Sequence, residues 1–273
     1  MTRQMARRSR LDAELVRRGL ARSREHATGL ISQGRVRVGG AGPGAVKPAS
    51  QVDTSASITV EEPADGADDY VSRGGNKLAG ALAALPGVAV AGRRCLDAGA
   101  STGGFTDVLL RAGAAHVTAV DVGYGQLAWS LRTDPAVTVM DRVNVRGLRP
   151  GQLEYAPDLV TADLSFISLT LVLPALAACA APDADFLLLV KPQFEAGKGK
   201  VGTGGVVRDP ATRQEAVTRV ARCAGEHDLG VMGVTASALP GPSGNVEYFL
   251  WLRRGAPPLD EAAAARAIEE GPS

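Results

Sequence analysis

Only five of the 30 basic residues in this 273-residue chain are lysines: Lys47, Lys77, Lys191, Lys198 and Lys200. A lysine can surrender its proton when desolvated or crowded by positive charge, and an arginine cannot. Lys191 directly follows the apolar run FLLLV and precedes Pro192, so its stem starts in a buried place. Lys77 lies in SRGGNKL at the start of a helix, whereas Lys198 and Lys200 sit in a glycine-rich stretch and read as solvated. Asp97, Asp121 and Asp163 also fall at or just after the ends of apolar runs. In open α/β sheets, ligands bind outside the carboxyl ends of the strands. Four charged groups at successive exits therefore predict a charged cleft.

The first exit is the most specific. CLDAGASTGGF, residues 95–105, puts Asp97, Gly99, Ser101, Gly103, Gly104 and Phe105 in a glycine-rich turn between a strand and a helix. Glycine lets the backbone pass close to a ligand, and the helix start offers free N–H groups. Asp121 lies 24 residues after Asp97 at the end of the next strand, where a carboxylate can accept both hydroxyls of a ribose. The strict GxGxxG spacing of dinucleotide sites is absent. A glycine turn opening with an acid instead resembles the S-adenosylmethionine loop of class I methyltransferases.

Around these residues, short apolar runs at 95–99, 116–121, 137–141, 158–163 and 186–191 alternate with helix candidates near 105–113, 126–132 and 168–181. A helix near 211–228 and strands in VMGVTAS and EYFLWLRR follow. This alternation predicts an α/β fold with βαβ units on a buried parallel sheet. Upstream, Leu11, Leu15 and Leu20 lie near helical spacing, Ser23 is placed to cap a second helix, and Val36 and Val38 alternate into the Gly39-Gly40 turn. These elements predict a small helix–helix–strand module, which Ile58 and Val60 close with a strand. The acidic stretch 61–70 separates the two regions as a linker.

Charge divides the chain the same way. The net charge is +1, yet residues 1–60 carry eleven basic and four acidic groups (+7), and the remainder carries nineteen and twenty-five (−6). Arg10, Arg17, Arg18, Arg22, Arg24, Arg35 and Arg37 concentrate on the small module, predicting a salt-sensitive contact with nucleic-acid phosphates. Three widely spaced cysteines indicate neither a disulfide framework nor a zinc cluster, the histidines show no metal-like spacing, and no metal is expected. The longest apolar region, 169–181, is too short for a membrane span, so a cytoplasmic setting without membrane contact is expected.

Lys77 in SRGGNKL, Asp163 in TADLSFISL, Lys191 in LLVKPQFE and Glu247 in GNVEYFLWL match, in order and context, the Lys–Asp–Lys–Glu tetrad of FtsJ-type ribose 2′-O-methyltransferases, which residues 70–254 resemble. Residues 6–62, with RLDAELVRRGLARSREHA and LISQGRVRV, resemble the S-four type RNA-binding domain. The pairing is similar to the TlyA family, historically called haemolysins. The resemblance implies a Rossmann-like class I methyltransferase domain beside a small α+β RNA-binding domain. It implies S-adenosylmethionine as cofactor and cytidine 2′-hydroxyls of small- and large-subunit ribosomal RNA, or the ribosomal subunits, as substrate. No DNA partner is expected. The boundaries that follow are 1–62 for the RNA-binding domain, 63–72 for the linker, 73–255 for the methyltransferase and 256–273 for a tail or short helix.

By that resemblance Lys191 is the base or hydroxyl-orienting group, Lys77 crowds it, and Asp163 and Glu247 hold the ammonium groups. Asn144 is expected to meet the adenine amino edge and Phe105 to wall the methionine side. A structural ion-pair network is the rival reading of the same four residues. A non-catalytic RNA-binding factor would be favoured by loss of a tetrad member, and all four are present. A cytolysin would need an insertion segment that does not appear, and a nicotinamide enzyme is disfavoured by the loop spacing. The segment 193–207 is glycine-rich and basic, and reads as a mobile loop over RNA or cofactor.

Overall fold

The computed structural model describes residues 8–21, 24–32, 34–39, 47–61, 70–197, 199–241 and 243–271. They fall into two compact units, residues 1–73 and 74–273. The expected linker 63–72 overlaps the end of the first unit, and most of it lies outside the described residues, as do Ser23 and Arg22.

In the first unit, β1 (Arg8–Arg10) leads into α1 (Leu11–Arg17), followed by α2 (Arg24–Ser32), β2 (Val36–Val38), β3 (Gln51–Asp53) and β4 (Ile58–Val60). β1 pairs antiparallel with β3, and β2 with β4. Leu11, Leu15, Ala27, Leu30, Ile31, Val36, Val52 and Ile58 make its core. β1 and β3 were not expected from the sequence, because RSR and QVD are too short and too polar to show an alternating pattern.

The second unit runs α3 (Gly74–Ala84), β5 (Arg94–Ala98), α4 (Gly104–Arg111), β6 (His116–Asp121), α5 (Trp129–Arg132), β7 (Val137–Asp141), β8 (Leu159–Ala162), α6 (Leu173–Cys179), β9 (Asp185–Val190), α7 (Pro192–Glu195), α8 (Pro210–Gly225), β10 (Leu229–Ala236), β11 (Tyr248–Arg254) and α9 (Glu261–Glu269). The seven strands form one sheet in the order β10-β11-β9-β8-β5-β6-β7. The buried parallel sheet expected from the sequence is formed by β7, β6, β5, β8 and β9, and β11 extends it antiparallel to both β9 and β10. Apolar runs identify a strand buried on both faces but not its direction.

Side chains alternate across this sheet. Phe186, Leu188, Val190, Leu250 and Leu252 join one continuous core with residues of α6, α8 and α9. On the other face, Phe105 of α4 stacks on Phe249 with ring centroids 6.0 Å apart. The segment after residue 255 is a helix packed into the first of these cores through Ala267 and Ile268. No helix among the described residues is long and apolar enough to cross a membrane.

Removing residues 256–273 should expose Val231, Tyr248 and their neighbours and lower the thermal unfolding midpoint. An unchanged midpoint in a calorimetric scan of the truncated chain would show that α9 does not support the fold.

Candidate active site

The carboxyl edge of the sheet gathers the charged residues singled out in the sequence. After β5, the chain takes φ values of +85° at Gly99, +47° at Ser101 and +101° at Gly103 before α4 begins. A Cβ on Gly99 would come within 2.5 Å of the Asp163 carbonyl oxygen, so only glycine lets this turn pass beside the β8 exit. Asp121, ending β6, accepts from the Ser101 N–H at 2.9 Å and from the Gly123 N–H at 2.7 Å. Its carboxylate is fixed in orientation with lone pairs left for further donors such as ribose hydroxyls.

Asp97 is fully buried at the root of this turn. One carboxyl oxygen accepts from the Thr106 hydroxyl at 2.6 Å, and the other has no partner. Burial pushes its pKa up to about 7, with the Thr106 hydrogen bond opposing and the nearby Asp163 charge reinforcing the shift. The glycine turn and the anchored Asp121 carboxylate fit a nucleoside cofactor, and Asp97, enclosed beneath them, keeps one oxygen unpartnered. Among the described residues no cluster could hold a metal ion.

The four tetrad residues come together as two ion pairs. Lys77 of α3 donates to Glu247 at 2.5 Å, and Lys191 Nζ lies 2.5 Å from Asp163 Oδ1. Strand register explains the gathering. Tyr248 pairs with Val190, so Glu247 and Lys191 occupy the next positions of neighbouring strands. Ala162 pairs with Leu188, which sets Asp163 at the exit beside them. Lys77, Lys191 and Glu247 are all buried, and the second Glu247 carboxyl oxygen has no partner. Lys191 also donates to the exposed Ser165 hydroxyl at 3.1 Å. The nitrogen is thus held by one ion pair and one hydrogen bond, and its remaining side is open to a substrate hydroxyl.

Two residues expected at the cofactor also make contacts within the fold. Phe105 is 3% exposed and belongs to the core against Phe249. Asn144 is exposed, and its carboxamide oxygen accepts from the Arg146 N–H, capping a short 3₁₀ turn. Thr106 and Ser165 escaped the sequence reading because hydroxyls are common in such segments. Their only signal was position, in the first helical turn after the glycines and two residues after Asp163. The loop 193–207 is partly ordered: Asn245 accepts from the Val207 N–H and donates to the Gly205 carbonyl, both at 2.9 Å.

On the first unit, the arginines do not present a bare positive surface. Arg10 and Arg24 bond Asp12, Arg17 and Arg18 bond Glu14, and Arg37 bonds Glu61. Arg35 donates to the Glu61 carbonyl. Glu14 is fully buried, and its pKa is held down to about 2 by Arg17, with burial opposing and Arg18 assisting. Arg18 also donates to the Thr54 and Ala56 carbonyls, so its guanidinium ties α1 to the β3–β4 turn.

Asp97→Asn keeps an acceptor for Thr106 and removes the titration. A carboxyl whose folded pKa is raised contributes stability that is fully present below its ordinary value of 3.8 and is lost as pH rises through about 7. Relative to the variant, the unliganded parent should therefore lose a few kcal/mol of stability across that window. Denaturant melts of both proteins at the two ends of the window check this, and parallel behaviour would exclude it.

The family model of FtsJ-like methyltransferases matches residues 70–254, and that of the S4 domain matches residues 9–41. The chain is 61% identical over 274 residues to a Mycobacterium tuberculosis (strain ATCC 25618 / H37Rv) protein named 16S/23S rRNA (cytidine-2′-O)-methyltransferase TlyA, covering 98% of this chain and 100% of that one. Hemolysin A of Brachyspira hyodysenteriae is 34% identical, covering 88% of this chain and 98% of that protein. A solved structure from Streptococcus thermophilus, named as a candidate hemolysin, matches with a TM-score of 0.74 at 36% identity and covers 98% of both chains. With its matched domains and its near full-length relatives, the chain belongs to the TlyA family of FtsJ-like methyltransferases.

Proposed function

We propose that this chain transfers a methyl group from S-adenosylmethionine to the ribose 2′-hydroxyl of cytidines in 16S and 23S ribosomal RNA. The observation that carries the reading is the Lys191 nitrogen held by Asp163 and Ser165 beside the Lys77–Glu247 pair. The 61% identity to a relative named for that reaction supports it.

S-adenosylmethionine, when bound, supplies a methyl group activated by a sulfonium. Asp97 underlies the glycine turn through its bond from Thr106, Asp121 accepts from the ribose, and the turn 99–103 passes along the cofactor. A 2′-hydroxyl is a weak nucleophile until its proton is shared or removed, and in-line approach demands position. Lys191 meets that hydroxyl from the side its Asp163 and Ser165 contacts leave open: as an ammonium it orients the oxygen, and as the neutral amine its lone pair takes up the proton. Asp163 and Ser165 prevent the amine from swinging away. Lys77 and Glu247 form the wall beside them, and the burial of that pair strengthens the local field.

The first unit serves as the RNA grip. Arg10, Arg17 and Arg24 keep exposed faces while Asp12 and Glu14 fix their direction. Preoriented guanidiniums suit phosphates, and part of each charge is already balanced locally.

Mapping 2′-O-methylation in ribosomal RNA from cells with and without the protein should reveal cytidines that lose the mark, and no difference would end this reading. Lys191→Arg retains charge and removes deprotonation. It should lower the single-turnover rate by about 10²–10⁴-fold with cofactor affinity retained, and full activity would refute proton uptake by Lys191. Deleting residues 1–62 should leave cofactor binding intact while weakening ribosomal RNA binding and flattening its salt dependence. Equal RNA affinity at all salt concentrations would remove the first unit from recognition.

A further inference from the structure

Glu195 is a buried acid that the chemistry above does not use. It ends α7, the single helical turn that begins directly after Lys191, and only 3% of it is exposed. Its two carboxylate oxygens accept from two groups of one neighbouring segment, the Ser168 hydroxyl at 2.5 Å and the Leu169 N–H at 2.7 Å. That segment follows β8 and carries Asp163 and Ser165, the two partners of Lys191. The Lys191 loop and the Asp163 loop are therefore tied twice, once by the Lys191 amine and once by the Glu195 carboxylate.

The span between the two ties is strained. Phe166, directly after Ser165, has φ +63°, a left-handed conformation that bulky residues rarely adopt. Such a residue persists only where its surroundings over-determine it. Upstream, the Asp163 N–H is fixed on the Ala98 carbonyl at 3.1 Å. Downstream, Glu195 supplies the anchor. Between these points Ser165 is turned towards Lys191. Burial pushes the Glu195 carboxyl upward from its ordinary pKa, opposed by its two hydrogen bonds and by Arg219. Arg219 also donates to the Glu195 carbonyl at 3.1 Å, so the acid's own backbone is held from α8.

We propose that Glu195 is a positioning residue for methyl transfer, clamping the 163–168 turn so that Ser165 and Asp163 hold the Lys191 nitrogen towards the substrate hydroxyl. It touches neither cofactor nor substrate and acts through Ser165. The proposal rests on the methyltransferase reading above.

The test uses the full chain with S-adenosylmethionine and ribosomal subunits. Cofactor affinity, subunit affinity and single-turnover methylation are measured for the parent, Glu195→Gln, Glu195→Ala and Ser168→Ala. The expected result is a split. Both affinities stay within about twofold of the parent, while the methylation rate falls tenfold or more in Glu195→Ala. Glu195→Gln, which keeps one carbonyl acceptor for Leu169, should recover part of that loss. Ser168→Ala removes one tie and leaves the Leu169 tie to the acid in place, and it carries the test should Glu195→Ala fail to fold. In a Ser165→Ala background, Glu195→Gln should cost less than in the parent, because both changes act on the same amine. Parental rates in folded Glu195→Gln and Ser168→Ala, a matching loss of cofactor affinity, or full additivity with Ser165→Ala would each overturn the proposal. A parent that methylates no ribosomal RNA would instead overturn the functional reading itself.

Discussion

The direction of one strand governs the site. β11 enters the sheet between β9 and β10 and runs against both, so its start, not its end, lies at the carboxyl edge. Glu247, one residue before that start, can then face the helix carrying Lys77 while Lys191 leaves the adjacent strand. Were β11 parallel, the edge would receive Arg253 and Arg254, and Lys77 would be buried without a counter-charge. An ion pair this deep is a poor source of net stability, because the desolvation of both ions offsets most of their attraction. Its cost is borne by the apolar sheet, where Leu188, Val190, Leu250 and Leu252 are essentially inaccessible. Removing either ion alone would leave the other buried and uncompensated, so the pair is retained or lost together.

Much of this was legible in the sequence, for definite reasons. A strand covered on both faces reads as an apolar run, so FLLLV and HVTAV announced themselves, and the charged residue closing each run marked the edge of the sheet. Motif context, rather than periodicity, joined Lys77 and Glu247, which are 170 residues apart. Strand direction was not legible, because hydrophobic pattern has no polarity. The packing of α9 was hidden by its alanines, whose small side chains look like a solvated tail until Ala267 and Ile268 are seen in the core. Thr106, Ser165 and Glu195 were hidden by ordinariness, since each is significant only for what it touches.

The arginine-rich first unit shows the same lesson in charge. Counting gives +7 over residues 1–60, but Asp12 and Glu14, buried in the first turn of α1, each bond two guanidiniums. A carboxylate bonded by two arginines lowers the local potential and in exchange removes side-chain freedom that phosphate binding would otherwise have to freeze. Arg18 lies at one extreme, with every visible bond spent on the fold. Arg17, anchored at Glu14 and largely exposed, lies at the other.

Strain is distributed in a way that favours the same edge. Among the described residues four non-glycines adopt positive φ: Ser101, Arg142, Phe166 and Asp228. Three of them follow β5, β7 and β8 at the carboxyl edge, and each is pinned close by. The Ser101 N–H donates to Asp121, the Arg142 N–H donates to the Gly123 carbonyl at 2.9 Å, and Phe166 rests against Phe194 with ring centroids 5.3 Å apart. Such conformations cost about 1–3 kcal/mol each, so they survive only where a rigid frame opposes relaxation. The frame here is the sheet, whose ladder reaches the residue just before each turn. Substrate binding then need not organise these turns, and the reaction can draw on positions set during folding. An amine held by two acceptors at the rim of such a frame has little freedom left to lose when a hydroxyl arrives.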